Sequence, residues 1–197
     1  SATAPSCIVA GSTTSLSYSL ILPAGWNLLG NSLNQSISVT SLYGDPNTVI
    51  TVWKWDTGTQ GWQFYTPLMD AASLQSYAAG KGYGVLSTIN PGEGYWVNAK
   101  AQPTLGAQSG AAFNLSTANL VKGWNLVATG MDITPSTFNT NLKSSLPGTG
   151  VVTLWAWDNP RSAWYFYAPS LEAQGATALT DYIASRSYLD FTSNNKT

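Results

Sequence analysis

The chain has 197 residues, with 8 Lys and Arg, 9 Asp and Glu, no His, one Cys and a formal net charge of −1. Only 9% of its residues are charged, against roughly 25% in an average protein, so Ser, Thr, Asn, Gln and Gly carry its solubility. Phosphate binding needs clustered Lys and Arg, which excludes nucleic acid as an expected partner. Without His and with a single Cys, the usual nucleophile–base pairs and N/S metal sites cannot be built.

This balance suits secreted, β-rich surface proteins, and the expected location is extracellular or at the cell surface. The lone Cys7 has no internal disulfide partner; it pairs with another chain or stays a free thiol. No apolar run approaches the ~18 residues that a membrane helix needs, so no membrane span is expected. Residues 1–5 have neither the charged leader nor the apolar stretch of a signal peptide, and an exported chain would be a mature or trimmed form.

In chain order, residues 1–16 are small and polar and read as an N-terminal arm. It is interrupted by Cys7-Ile8-Val9-Ala10, an apolar run able to add to a sheet edge. Residues 18–22 alternate as a strand, stopped by Pro23. Gly25-Trp26-Asn27-Leu28-Leu29-Gly30 is a turn running into a short strand, and it returns as Gly123-Trp124-Asn125-Leu126-Val127-Ala128, where 123 − 25 is 98. A short helix follows each copy. In the second, Thr134 is the N-cap, Pro135 the first helical residue, and Phe138 and Leu142 share a face. In the first, Ser38, Val39 and Leu42 lead to a stop at Tyr43-Gly44.

The centre of each copy is a hairpin. Trp53-Lys54-Trp55-Asp56, a turn and Trp62-Gln63-Phe64-Tyr65-Thr66-Pro67 recur as Trp155-Ala156-Trp157-Asp158, a turn and Trp164-Tyr165-Phe166-Tyr167-Ala168-Pro169. The offset is constant, since 155 − 53 and 164 − 62 are both 102. Alternating aromatics either side of a turn predict a β-hairpin, and a fixed repeat distance predicts repeated structure. Period 2 puts Val49, Thr51, Trp53 and Trp55 on one strand face and Ile50, Val52, Lys54 and Asp56 on the other. The large aromatics are expected to face inward, with Trp53, Trp55, Trp155 and Trp157 in the core.

A helix is expected after each hairpin, over residues 71–79 and 176–184, with strands beginning at Tyr83 and Tyr188. The first copy then closes with Asn90-Pro91-Gly92-Glu93-Gly94-Tyr95-Trp96-Val97-Asn98, a tight turn and a last strand. The second copy shows no such segment before Thr197, and of the nine Trp the one lacking a partner is Trp96. The expected organisation is an arm (1–16), a first β module (17–100), a small-residue linker (101–112) and a second β module without its closing strand (113–197). The fold class is mostly β with short helices, two tandem antiparallel modules each closing as a small barrel or sandwich. The second module is expected to have an unpaired sheet edge or an open groove there, filled first by a C-terminal continuation past Thr197 or else by the N-terminal arm of a neighbouring copy.

With Gly-Trp-Asn-Leu, Trp-x-Trp-Asp, Trp-x-Phe-Tyr-x-Pro and Gly-Glu-Gly-Tyr-Trp-Val-Asn in order, the chain resembles modules repeated in bacterial secreted and cell-surface proteins. The resemblance implies export and a non-catalytic role, and it transfers no site residues. The second copy departs from it by its missing last strand.

Little in the residues points to catalysis. Asp56-Thr57-Gly58 is the triplet of aspartic proteases, but those enzymes need two, and the counterpart here is Asp158-Asn159-Pro160. Asp before Gly or Pro is ordinary turn chemistry. The acids are otherwise scattered, with no Asp-rich loop for Ca²⁺, so no metal, cofactor or enzymatic activity is expected. The expected function is a structural or adhesive surface protein, able to self-assemble or to belong to a larger surface protein. It would form a filament if residues Cys7, Ile8, Val9 and Ala10 donate a strand to a neighbouring copy. The alternative is a carbohydrate-binding module holding polysaccharide on aromatic rings of the hairpin face opposite the tryptophans, namely Tyr65, Tyr165 and Tyr167.

Overall fold

A computed structural model describes residues 15–100 and 105–192. The chain begins with β1 (Ser15–Tyr18) and β2 (Gly25–Gly30), followed by β3 (Ile37–Ser38) and helix α1 (Val39–Tyr43). The hairpin β4 (Val49–Asp56) and β5 (Gly61–Tyr65) leads to α2 (Ala71–Lys81), β6 (Gly84–Val85), β7 (Thr88–Ile89) and β8 (Gly94–Ala99). After β9 (Gln108–Ala111) come α3 (Pro135–Ser145), the second hairpin β10 (Leu154–Asp158) and β11 (Ala163–Tyr167), α4 (Pro169–Glu172), α5 (Ala178–Ser185) and β12 (Leu189–Asp190).

Helix starts follow local chemistry. Ser38, Asp70 and Thr134 are N-caps whose side chains accept from the N–H three residues on, satisfying donors that the helix leaves free. α2 stops at Gly82, whose φ of 74° is costly for any residue with a Cβ.

The protein is mostly β with short helices, and its sheets are open rather than closed into barrels. The main sheet has the order β2-β8-β4-β5-β6. It is mixed: β6 joins β5 in parallel after the crossover through α2, so the expectation of purely antiparallel strands is corrected. The second sheet, β10-β11-β12, repeats the arrangement. Its hairpin pairs Trp155 with Phe166 and Trp157 with Trp164, as the first pairs Trp53 with Phe64 and Trp55 with Trp62, and β12 joins β11 in parallel. β1 pairs with β9, which lies within the segment expected to be a linker.

Two expectations about the strands change. The second Gly-Trp-Asn-Leu segment is not a strand: in the first copy β2 pairs along its whole length with β8, and among the described residues the second sheet has no such strand to pair with. Residues 126–128 instead cross the turn before β8, where Gly94 N donates to Leu126 O and Ala128 N donates to Gly92 O. Gly30 and Gly94 permit this crossing, because a Cβ on Gly30 would lie 2.4 Å from Ala128 Cβ and one on Gly94 2.8 Å from Val127 N.

The second correction concerns the sheet faces. Residues opposite each other share a face, so Val52 lies with Tyr65 and Val97, while Trp53 lies with Phe64 and Trp96. It is the first of these faces that supplies Val52, Tyr65, Tyr95 and Val97 to the main core, together with Val39 and Tyr43 of α1, Leu86 and Ile89. On the Trp face Phe64 is buried beside Tyr77 of α2, but Trp53, Trp55, Trp155 and Trp157 are only partly buried.

Candidate functional site

The Trp face of the main sheet meets the Trp face of the second hairpin. Trp96 stands between them, its ring centroid 5.7 Å from that of Trp164 and 6.4 Å from that of Trp157. Trp157 Nε1 donates to Trp26 O at 2.9 Å. Asn159 Nδ2, in the turn after β10, lies 3.2 Å from Ala24 O and 3.1 Å from Asn27 Oδ1. Asn27 is held in turn by donating to Pro23 O and Gly25 O. The second sheet is thus fastened to the Gly-Trp-Asn-Leu turn of the first copy.

Between the fastened faces lies an open cleft of about 440 Å³, lined by Trp26, Trp53, Trp62, Tyr83, Trp96, Trp157 and Trp164. Its rings stand across one another: Trp53 and Trp62 at 87°, Trp53 and Tyr83 at 81°, Trp26 and Trp96 at 84°. Such edge-to-face packing presents the electron-rich face of some rings and the edges of others. Trp26 is 45% and Trp62 37% exposed, so the cleft has a wet rim. Among the described residues its lining contains no charged group.

A second feature is the free edge of β10. In the main sheet β4 is flanked by β5 on one side and by β8 on the other. In the second sheet β10 has β11 on one side and, among the described residues, no strand on the other. Val152, just before β10, is 82% exposed.

The residues singled out in the sequence are placed as follows. Tyr65, Tyr165 and Tyr167 are buried, because the hairpin face opposite the tryptophans is the packed one. Tyr165 donates its hydroxyl proton to Asp158 at 3.0 Å and Tyr167 to Glu172 at 2.6 Å. Burial first, then the Glu172 hydrogen bond, pushes the Tyr167 hydroxyl up to about 12. The exposed large aromatics are instead Trp26, Trp62, Tyr77 and, at 68%, Trp124. Cys7, Ile8, Val9 and Ala10 lie outside the described residues. Asp56 accepts from Gly58 N at 2.8 Å, the contact that chiefly holds its carboxyl below the usual range, and Asp158 accepts from Arg161 N. Both carboxylates are therefore engaged by their own turns.

The cleft was not legible in the sequence, which assigns the hairpin tryptophans to the core; the available signals were that Trp26 and Trp62 recur in both copies and that Trp96 does not. Among the described residues no three His, Cys, Asp or Glu side chains are grouped to hold a metal ion, and no helix is long and apolar enough to cross a membrane. A scan against protein-family models, a search of curated proteins and a search of solved structures each found no match to this chain.

Proposed function

We propose that this chain is a non-enzymatic structural or adhesive module of an extracellular surface, joined to neighbouring copies by strand addition at β10. The observation that carries this reading is the asymmetry between the two hairpins: among the described residues no strand pairs with β10 on the side where β8 pairs with β4, although β10 packs near β2. An open edge carries free N–H and C=O groups and is a template for another strand. The donor is Cys7-Ile8-Val9-Ala10 of the next copy, an apolar run in an otherwise small, polar arm. Head-to-tail donation builds a filament unless the rotation closes a ring. The scarcity of charge, 9% of residues, also supports the reading, since little like-charge repulsion opposes assembly.

The test compares the full chain with one lacking residues 1–10, by light scattering and negative-stain imaging over a range of concentrations. Oligomers that grow with concentration are expected from the full chain alone. A synthetic Glu93-Gly94-Tyr95-Trp96-Val97-Asn98-Ala99-Lys100 peptide, which carries the β8 pattern, should cap them. A full chain that stays monomeric throughout refutes the reading.

A further inference from the structure

The cleft between the two Trp faces is independent of strand addition, and its walls define what it can hold. Among the described residues every lining side chain is aromatic, and several ring pairs meet near right angles, 87° for Trp53 and Trp62, 81° for Trp53 and Tyr83 and 78° for Trp96 and Trp164, while Trp96 and Trp157 are tilted at 57°. A flat row of rings is a platform for a sheet-like ligand. Perpendicular rings make a box, which encloses a compact group from several sides.

Among the described residues the box offers no charged side chain, and its polar groups are indole N–H donors and the Tyr83 hydroxyl, set in a mainly apolar lining. Trp157 Nε1 is already committed to Trp26 O, and Trp53 Nε1 is buried without a hydrogen-bond partner. A ligand with ammonium protons would lose hydration there with only the Tyr83 hydroxyl to accept from it, an unfavourable exchange. A quaternary ammonium has no proton to donate, spreads its charge over methyl groups and is attracted by the negative faces of Trp and Tyr rings. No Lys or Arg lines the box to repel it. The volume of about 440 Å³ accommodates a trimethylammonium head with the rest of its molecule leaving past the exposed rim at Trp26 and Trp62.

We infer that this cleft is a binding site for quaternary ammonium groups of the choline type, held by Trp53, Trp62, Tyr83 and Trp96. Binding uses the cation and the ring faces together, so charge matters as much as shape.

The test titrates the full chain with choline chloride at constant ionic strength, following tryptophan fluorescence. Parallel titrations use 3,3-dimethyl-1-butanol, the neutral isostere, and a neutral oligosaccharide. A saturable change with choline, at least about tenfold weaker with the isostere, is expected. Trp62→Ala should weaken choline binding by at least tenfold with an unchanged far-UV circular dichroism spectrum, because Trp62 stands at the rim. Trp124→Ala removes an exposed tryptophan outside the cleft and should bind normally, which separates loss of a cleft ring from a general effect of losing a tryptophan. Sedimentation with phosphatidylcholine vesicles distinguishes the sources: co-sedimentation that choline reverses assigns a lipid headgroup, and its absence assigns free choline-type solutes. Equal binding of the isostere would show a merely apolar pocket and overturn the inference. So would binding of the oligosaccharide but not choline, or no saturable change with any probe.

Discussion

Lys54 Nζ lies 2.8 Å from Glu93 Oε2, an ion pair that ties the middle of the first hairpin to the turn opening β8. Lys54 sits on the packed face of the sheet and also donates to Thr88 O, while Glu93 accepts from Asn90 N. The matching residue of the second hairpin is Ala156, on a strand with no β8 equivalent beside it. The charge is present where its partner is present.

The pair predicts a particular pattern of stability. Removing one member of a buried pair costs roughly 3–5 kcal/mol, because the other charge is left in a low-dielectric site. Glu93→Ala strands the Lys54 ammonium, whose side chain is only 8% exposed, so it is expected to cost roughly 3 kcal/mol. The double variant Lys54→Met, Glu93→Gln should recover most of the loss. Urea unfolding midpoints check this, and equal destabilisation of the single and double variants would refute it.

Asn159 predicts how the second sheet is held. Asn159→Ala removes the contacts to Ala24 O and Asn27 Oδ1, worth about 1–2 kcal/mol together. The cleft should loosen before either hairpin unfolds. The expected signs are a red-shifted tryptophan emission and faster limited proteolysis between residues 112 and 153, with far-UV circular dichroism retained. An emission spectrum identical to that of the parent would mean that ring packing alone fastens the two faces.

Alkaline pH should unfold the protein through its buried tyrosines. The Tyr167 hydroxyl is pushed up to about 12, and burial raises those of Tyr43 and Tyr95 as well, the two being hydrogen-bonded at 2.7 Å. An unfolded Tyr ionises near 10. Above that pH the unfolded chain loses protons that the folded chain retains, so stability falls as pH rises. The stabilisation is complete below about pH 10 and is lost progressively between about 10 and 12. Tyr167→Phe should make this decline shallower without abolishing it, since Tyr43 and Tyr95 still contribute. Thermal melts at pH 8, 10 and 11 measure it; slopes that do not differ between the parent and Tyr167→Phe would be the contrary result.

The sequence by itself determined what short-range chemistry can enforce. Alternation and turn residues define both hairpins with their cross-strand partners, the caps at Ser38 and Thr134 start their helices, and the two Gly-Trp-Asn-Leu turns form alike. In each the Asn side chain donates to the carbonyls four and two residues back, and the Gly takes positive φ, 93° at Gly25 and 101° at Gly123. Tertiary structure decided the rest. The same motif becomes strand β2 only where β8 supplies the matching hydrogen bonds, and residues 123–128 remain irregular because no such strand lies beside them. Alternation likewise sorts residues into two faces but cannot say which face is covered. That depended on α1, Leu86 and Ile89 packing over Val52 and Tyr65, which left Trp26, Trp62 and Trp96 to face the second hairpin and form the cleft. Which face goes dry is set by what the rest of the chain lays over it, and that is a long-range property no local pattern carries.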